Sequence, residues 1–374
     1  MSTAILSPEF RLMLTCCRVI PGNKELKQRE EAFSKTIDEE AFWALVLRHR
    51  VFPIVHYNLK QDARLSMGLK EKLKQYSDNN QRLALQSLLM QHRLQKVLDE
   101  QKLKGFFLKG VNLSKLYYGD PGIRHVMDLD VWMEERAIGP IAEWLFNKGY
   151  VSVPDIRILN NHQFAFIKRT DHDLQFITDK SGLPGIIELH WALRGPLGGF
   201  NLTPDNSMNE VDNFLYLCTH GTEHGWFRLK WLFDLPQIMD HVQFDWAQVR
   251  QRAIVLDCLD HLEITMLVLE SILNEPIPVL IKNQLDSLRY TTQLRYIHSA
   301  IASLKVFNDN EANRIAYLKY MNSLSRKKIN RALILKYLTS PNDWKLVPLP
   351  PSLFFLYFPL RPFLILWRRI FEKH

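Results

Sequence analysis

The apolar residues of this chain change rhythm twice. From about Pro8 to Leu103 they recur mostly at spacings of three and four, as in Phe42, Leu45 and Val46 and again in Leu83, Leu85, Leu88, Leu89, Leu94 and Val97, the period of amphipathic helices. Between about 104 and 195 the rhythm shortens to strand-length runs: Gly105–Lys109, Met127–Met133, Tyr150–Val153, Gln163–Lys168, Leu174–Thr178 and Gly185–Trp191 each predict a strand. Gly119-Asp120-Pro121-Gly122, Asp171-His172-Asp173 and Lys180-Ser181-Gly182 punctuate them as turns, while Asn112–Tyr118 and Gly139–Asn147 predict helices, the second closed by Gly149. Beyond a loop expected at Gly195–Pro204, helical spacing resumes over Asn209–Leu217, Phe227–Leu235, Trp246–Leu262 and Ile264–Leu273 and continues to Tyr337. The expectation is an α+β fold with a mixed-sheet core at 104–200. Helical parts at 1–103 and 201–340 flank it, and an aromatic, basic tail follows at 341–374.

Two of the predicted strands carry charge in a telling order. Side chains alternate faces along a strand, so Asp128 and Asp130 project together while Leu129 faces the core, and Glu188 and His190 repeat the arrangement around Leu189. Side by side, the two strands would gather Asp128, Asp130 and Glu188, a set that repels itself unless a divalent cation holds it. A metal-dependent enzyme is the first reading. The apolar content of 47% suits a protein with a substantial core, and the net charge of +8 favours an anionic partner: nucleotide, nucleic acid, phosphosugar or membrane surface. The lysines and arginines form no stripe interleaved with aromatics, which argues against a dedicated nucleic-acid reader.

Cys16, Cys17, Cys218 and Cys258 have no metal-site spacing and read as buried thiols of a reducing compartment, and Met1–Ser7 lacks a secretory pattern, so a cytoplasmic location is expected. Leu353–Trp367 is aromatic and apolar but interrupted by Pro359, Arg361 and Pro362, short of the roughly 20 residues a spanning helix needs. It predicts either a segment docked on the protein or a partner, or peripheral contact with a membrane interface.

The ordered set Leu108-Lys109-Gly110, Leu116-Tyr117-Tyr118, Asp120-Pro121, Arg124, Asp128-Leu129-Asp130-Val131, Gly149-Tyr150, Glu188-Leu189-His190-Trp191, His220, His224, Trp226, Arg228 to Trp231 and Asp234 resembles a bacterial family of uncharacterised nucleotidyltransferases. The layout is similar to that of the DNA polymerase beta-like nucleotidyltransferase superfamily. The resemblance spans roughly residues 30 to 240. It implies a cytoplasmic Mg²⁺- or Mn²⁺-dependent enzyme that moves a nucleoside monophosphate from an NTP to an acceptor by a two-metal mechanism. Asp128, Asp130 and Glu188 are then both metal ligands and catalytic residues. Gly110 is the point where a phosphate approaches the backbone, and Lys109 and Arg124 are candidate phosphate contacts. The acceptor stays open among a small molecule, a protein side chain and a tRNA end.

One departure from the family pattern concerns the phosphate turn, where Gly110 is followed by Val111 instead of Gly or Ser, leaving Asn112 and Ser114 as the nearest polar side chains. His190 reads either as a neighbour of the metal or as a hydrogen-bonded histidine beside Trp191. His220, His224 and Arg228 recur every four residues, so one continuous helix would stack them, and Lys230 and Asp234 belong with this group. They read as a polar face lining the nucleotide or acceptor cleft, as a structural cap between domains, or, with no third ligand or H-E-x-x-H glutamate, less readily as a zinc site. Trp226, Trp231 and Phe233 are expected in the core. Two other function classes remain beside the enzyme: a catalytically degenerate nucleotidyltransferase-like binding module, and a membrane-peripheral assembly factor acting through the C-terminal segment.

Overall fold

The computed structural model describes residues 7–192, 208–303, 311–324 and 338–371. The predicted loop at Gly195–Pro204 lies outside them. The chain opens with helices α1 (Pro8–Leu14), α2 (Asn23–Phe33), α3 (Glu39–His49), α4 (Phe52–Leu59) and α5 (Met67–Glu100). Ser7, Asp38 and Ser66 start three of them by accepting first-turn backbone N–H groups with their side chains. At 34 residues, α5 is about 50 Å long. Its Leu69 and Leu73 belong to the helical core, whereas Met90, Leu94 and Leu98 pack beneath the sheet.

Strands β1 (Gly105–Phe107), β2 (Asp128–Met133), β3 (Val151–Val153), β4 (Asp173–Ile177) and β5 (Ile186–His190) form one sheet in the order β1-β2-β5-β4-β3. Helices α6 (Gly110–Tyr118), α7 (Ile138–Lys148) and α8 (Asn161–Thr170) lie between them in the chain. β2 and β5 run parallel and every other pair is antiparallel. Leu129, Val131, Met133, Leu174, Phe176, Ile187 and Leu189 cover one face and pack with Ile138, Ile141 and Leu145 of α7. The pleat then puts Asp128, Asp130, Glu188 and His190 together on the other face, with Asp130 opposite Glu188 in the register.

Five of the six predicted strands are present. The sixth, Gln163–Lys168, is instead part of α8. The Asn160 side chain accepts from the Gln163 N–H, and the Gln163 side chain accepts from the Asn160 N–H, both at 3.0 Å. This reciprocal capping box commits Phe164-Ala165-Phe166-Ile167 to a helix, although the short apolar run alone suits a strand equally well.

The second helical part comprises α9 (Glu210–Glu223), α10 (Leu229–His241), α11 (Trp246–Val255), α12 (Leu259–Val268, extended by a π turn over Leu269–Leu273), α13 (Val279–Lys282), α14 (Thr291–Ala302) and α15 (Glu311–Leu324). Phe10, Leu12, Phe42 and Val55 from the N-terminal helices share a single core with Phe214, Leu215, Trp226 and Leu262. Helices distant in sequence are thereby joined in one body. The helix expected over Trp246–Leu262 breaks at Asp257, which takes a left-handed φ of 53°. His220, His224 and Arg228 do not share a helix either: α9 stops at Glu223, Gly225 and Trp226 adopt φ of 60° and 49°, and Arg228 is the N-cap of α10. Trp226 folds back over Gly221, where an added Cβ would meet its ring at 2.2 Å, and its indole N–H donates to Thr222 Oγ1 at 3.2 Å. The glycine at 221 is therefore a seat for the tryptophan that ends the helix.

At the C-terminal end, α16 (Pro341–Leu346) and α17 (Tyr357–Phe371) pack Trp344, Tyr357 and Leu364 with Ile167 of α8. Arg361 and Arg368 both pair with the buried Asp343. Phe363, Leu366, Trp367, Ile370 and Phe371 stay exposed along α17. Among the described residues no helix is long and apolar enough to cross a membrane. All four cysteines are buried free thiols.

Candidate active site

The polar face of β2 and β5 opens into a cavity of about 250 Å³ whose other walls are the end of α3 and the α9–α10 junction. Asp128, Glu188 and His190 line it, and Asp130 is buried behind them. Its Oδ1 lies 3.3 Å from Lys109 Nζ and 3.2 Å from His190 Nε2, while Oδ2 is buried with no hydrogen-bond partner. Glu188 reaches His190 Nε2 at 3.6 Å with one oxygen and accepts from Gln175 Nε2 at 3.3 Å with the other. Ligand atoms of Asp130, Glu188 and His190 all lie within 4.8 Å of one another. His172, Asp173 and His190 make a second such group toward β4.

Asp128 lines the same cavity but begins β2, opposite Ile186, two strand residues or about 6–7 Å along from Asp130. The tight set is therefore Asp130, Glu188 and His190, with Asp128 as its neighbour. Burial by itself would raise the Asp130 carboxyl, but Lys109 and His190 outweigh it and hold the group well below the usual carboxylate range. Glu188 is raised by burial and by the charges of Asp130 and Asp128, which together overcome the pull of the nearby His190. Burial works against a charged His190, yet its hydrogen bond with Asp130 and the approach of Glu188 push it up to about 9. Burial likewise opposes the Lys109 ammonium, and Asp130 keeps it above the ordinary lysine range. An ammonium and an imidazolium thus face the carboxylates. The donor set is rich in carboxylate oxygen and includes one buried oxygen without a partner, which fits a hard divalent cation such as Mg²⁺ or Mn²⁺.

The opposite wall is basic. Arg50 caps α3 in a left-handed conformation, with φ of 55°. The two residues before it fasten α3 to the start of α10: Arg48 donates to the Phe227 carbonyl at 2.7 Å, and His49 Nδ1 accepts from the Leu229 N–H at 3.3 Å. That clamp delivers Arg50, Arg228 and Lys230 to one side of the cavity. Burial, followed by the nearby Arg124, depresses Lys230 to about 7. Burial, then Arg50 and Arg48, brings Arg228 down to about 10. Arg124 differs. It is buried and binds both oxygens of Asp234, at 2.7 and 2.9 Å, and Asp234 also accepts from the Tyr118 hydroxyl at 2.7 Å.

Lys109-Gly110 forms the turn into α6, where Gly110 takes φ of 65°, a region a side chain would strain. Val111 is buried against Ala84 and Val126. The Ser114 hydroxyl donates to the Asp120 carbonyl at 2.7 Å and accepts from the Arg124 N–H at 3.2 Å. Neither residue presents a hydroxyl to the cavity. His224 caps α9 and stacks on Trp231 with ring centroids 5.0 Å apart, and His220 Nε2 lies 3.5 Å from Lys109 Nζ.

Trp226 and Phe233 are core residues as expected, whereas Trp231 is only half buried and lines the cavity. Lys230 lines it too, with His220, His224 and Arg228, whereas Asp234 is turned to Arg124. Arg50 and Tyr216 also line it and were not anticipated from sequence. The available signal for Arg50 was the run Arg48-His49-Arg50 at a helix end.

The model of a family described as "Uncharacterised nucleotidyltransferase" matches residues 35–274, from just before α3 to the end of the π turn, and so takes in the whole cavity. Searches of the curated proteins and of the solved structures found no match.

Proposed function

We propose that this chain, which belongs to the uncharacterised nucleotidyltransferase family, transfers a nucleoside monophosphate from an NTP to an acceptor hydroxyl or phosphate, with Asp128, Asp130 and Glu188 holding divalent metal. The observation that carries this reading is the Asp130–Glu188 pair on adjacent parallel strands: Glu188 lines the cavity together with Asp128, and Asp130, buried behind them, keeps a carboxylate oxygen without a partner. Held by these carboxylates, Mg²⁺ or Mn²⁺, as one ion or two, would supply charge neutralisation at the attacked phosphoryl group and would favour the ionised acceptor oxygen. The chain's own contributions follow from its geometry. Lys109 and His190 keep Asp130 ionised inside the protein. Glu188, whose carboxyl is raised by burial, is suited to take the acceptor's proton. In the balanced step a bond forms between the acceptor oxygen and the α-phosphorus, the bond from that phosphorus to the bridging β-oxygen breaks, and pyrophosphate leaves with the electron pair.

Thermal shift with each NTP and Mg²⁺ or Mn²⁺, on wild type and on an Asp128→Asn, Asp130→Asn double variant, tests the reading. It expects Mg²⁺ or Mn²⁺ to add to the stabilisation by at least one NTP in the wild type, and that metal-dependent increment to be absent from the variant. If no NTP stabilises folded wild type, the reading gives way to a catalytically degenerate module. A positive result justifies an acceptor search with α-labelled nucleotide across small molecules, protein and tRNA.

A peripheral membrane location is supported by one feature. The exposed stripe Phe363, Leu366, Trp367, Ile370 and Phe371 lies on a helix, and residues 344–371 contain no Asp or Glu. Co-sedimentation of the full chain with phosphatidylserine vesicles, abolished by Phe363→Ser with Trp367→Ser, is the expected result. Failure to sediment would remove the membrane from the account.

A further inference from the structure

We infer that Arg50, Arg228 and Lys230 form a polyphosphate-binding wall that does the work of the missing hydroxyl at the phosphate turn. The inference rests on the nucleotidyltransferase reading but concerns a part of the cavity that the carboxylates do not explain.

Three observations lead to it. First, the three cations line one cavity, yet among the described residues none has a carboxylate within the 4.0 Å of an ion pair. Of the carboxylates that line the same cavity, Asp128 acts on all three, from beyond ion-pair distance. Lys230 is only 7% exposed. Gathering like charges in a partly dry space is unfavourable unless an anion completes it.

Second, the cluster is built. Arg48 and His49 fix the α3 terminus on the backbone of Phe227 and Leu229, so Arg50 is held beside Arg228 and Lys230 by hydrogen bonds that its own side chain does not make. Arg228 is further oriented by lying over the Phe227 ring, 5.0 Å from its centroid. Two guanidinium groups and an ammonium supply planar forks and a point charge, donors suited to the oxygens of a di- or triphosphate.

Third, the Gly110 turn cannot grip phosphate with side-chain hydroxyls, because Val111 is in the core and Ser114 is spent between Asp120 and Arg124. The polyphosphate's charge is therefore answered from the facing wall. In the transfer step this wall holds the β- and γ-phosphates and receives the negative charge that develops on the pyrophosphate as it leaves.

Calorimetric titration with inorganic tripolyphosphate in EDTA tests the wall without metal or base. Wild type is expected to bind. Arg50→Gln and Lys230→Met should each weaken binding by at least tenfold, Arg50→Lys should recover part of the loss, and Asp128→Asn should bind as well as wild type or better. Thermal melts confirm folding of every variant, and Arg228→Gln replaces any that fails. No binding by wild type, or equal binding by folded Arg50 and Lys230 variants, overturns the inference. Tripolyphosphate binding that follows this pattern, in a protein whose NTP binding ignores metal and Asp130, would uphold the wall while refuting the nucleotidyltransferase reading.

Discussion

Arg124 and Arg228 line the same cavity and look alike in sequence, but they are in opposite states. Arg124 is enclosed with both oxygens of Asp234, which in turn is held by Tyr118; the guanidinium is committed to joining α6 to α10. Arg228, with Arg50 and Lys230, meets aromatic faces and other cations but no carboxylate at ion-pair distance among the described residues. The difference teaches that a positive charge at an active site becomes a ligand-binding group only when the fold withholds its counter-ion. Where the counter-ion is supplied, the same residue type holds helices together.

The comparison can be sharpened by experiment. The largest expected effect is on the floor: Asp130→Asn should reduce nucleotidyl transfer by on the order of 10³-fold, measured by labelled-nucleotide incorporation, since it removes the central buried carboxylate. Arg124→Met should instead act on stability, costing about 3–5 kcal/mol in urea denaturation, because it leaves Asp234 buried and unpaired. If Arg124→Met folds as stably as wild type and loses only NTP affinity, the contrast between the two arginines is wrong. Arg50→Gln should do the reverse, raising the KM for NTP about tenfold while stability changes by less than about 0.5 kcal/mol.

The last effect is read as a slope against pH, one histidine at a time. Burial holds His49 at about 3 and His261 at about 4, both far below the free imidazole, and burial together with Lys230, Arg50 and Arg124 brings His125 to about 2. Below pH of about 6.5 the unfolded chain binds protons that the folded one refuses, so stability should fall as pH drops from there toward 4. Each histidine contributes up to roughly 1.4 kcal/mol per pH unit. Replacing His49, whose Nδ1 must stay deprotonated to accept from Leu229, by Gln should flatten that slope. An unchanged slope would detach the α3 clamp from this account.

The carboxylate floor was legible because it is written in strand alternation. Asp-Leu-Asp and Glu-Leu-His each place an apolar residue inward, and one register brings Asp130 beside Glu188. That His190 displaces Asp128 from the tight group was not legible, since it depends on which residues the parallel register sets opposite each other. Arg228 and Lys230 were expected at the cleft, but that Arg50 joins them was hidden for another reason. Arg50 comes from the end of α3 and Lys230 from the first turn of α10, some 180 residues apart, joined by side chain–backbone bonds that no local pattern announces. The spacing of His220, His224 and Arg228 suggested one helix face, but Gly225 and Trp226 reverse the chain between them and deliver them to the cavity from two helices. The apolar run at Gln163–Lys168 carried too little periodicity to tell strand from helix, and the cap at Asn160 decided it.

The central claim is that this cavity holds a divalent cation together with an NTP on the Asp130–Glu188 floor. Electron paramagnetic resonance of Mn²⁺, titrated with the full-length protein with and without NTP, tests it most directly. The account predicts Mn²⁺ capture that strengthens when NTP is present and is lost in Asp130→Asn with Glu188→Gln. Mn²⁺ remaining free in the presence of folded wild-type protein and NTP, or bound equally by the double variant, would contradict it.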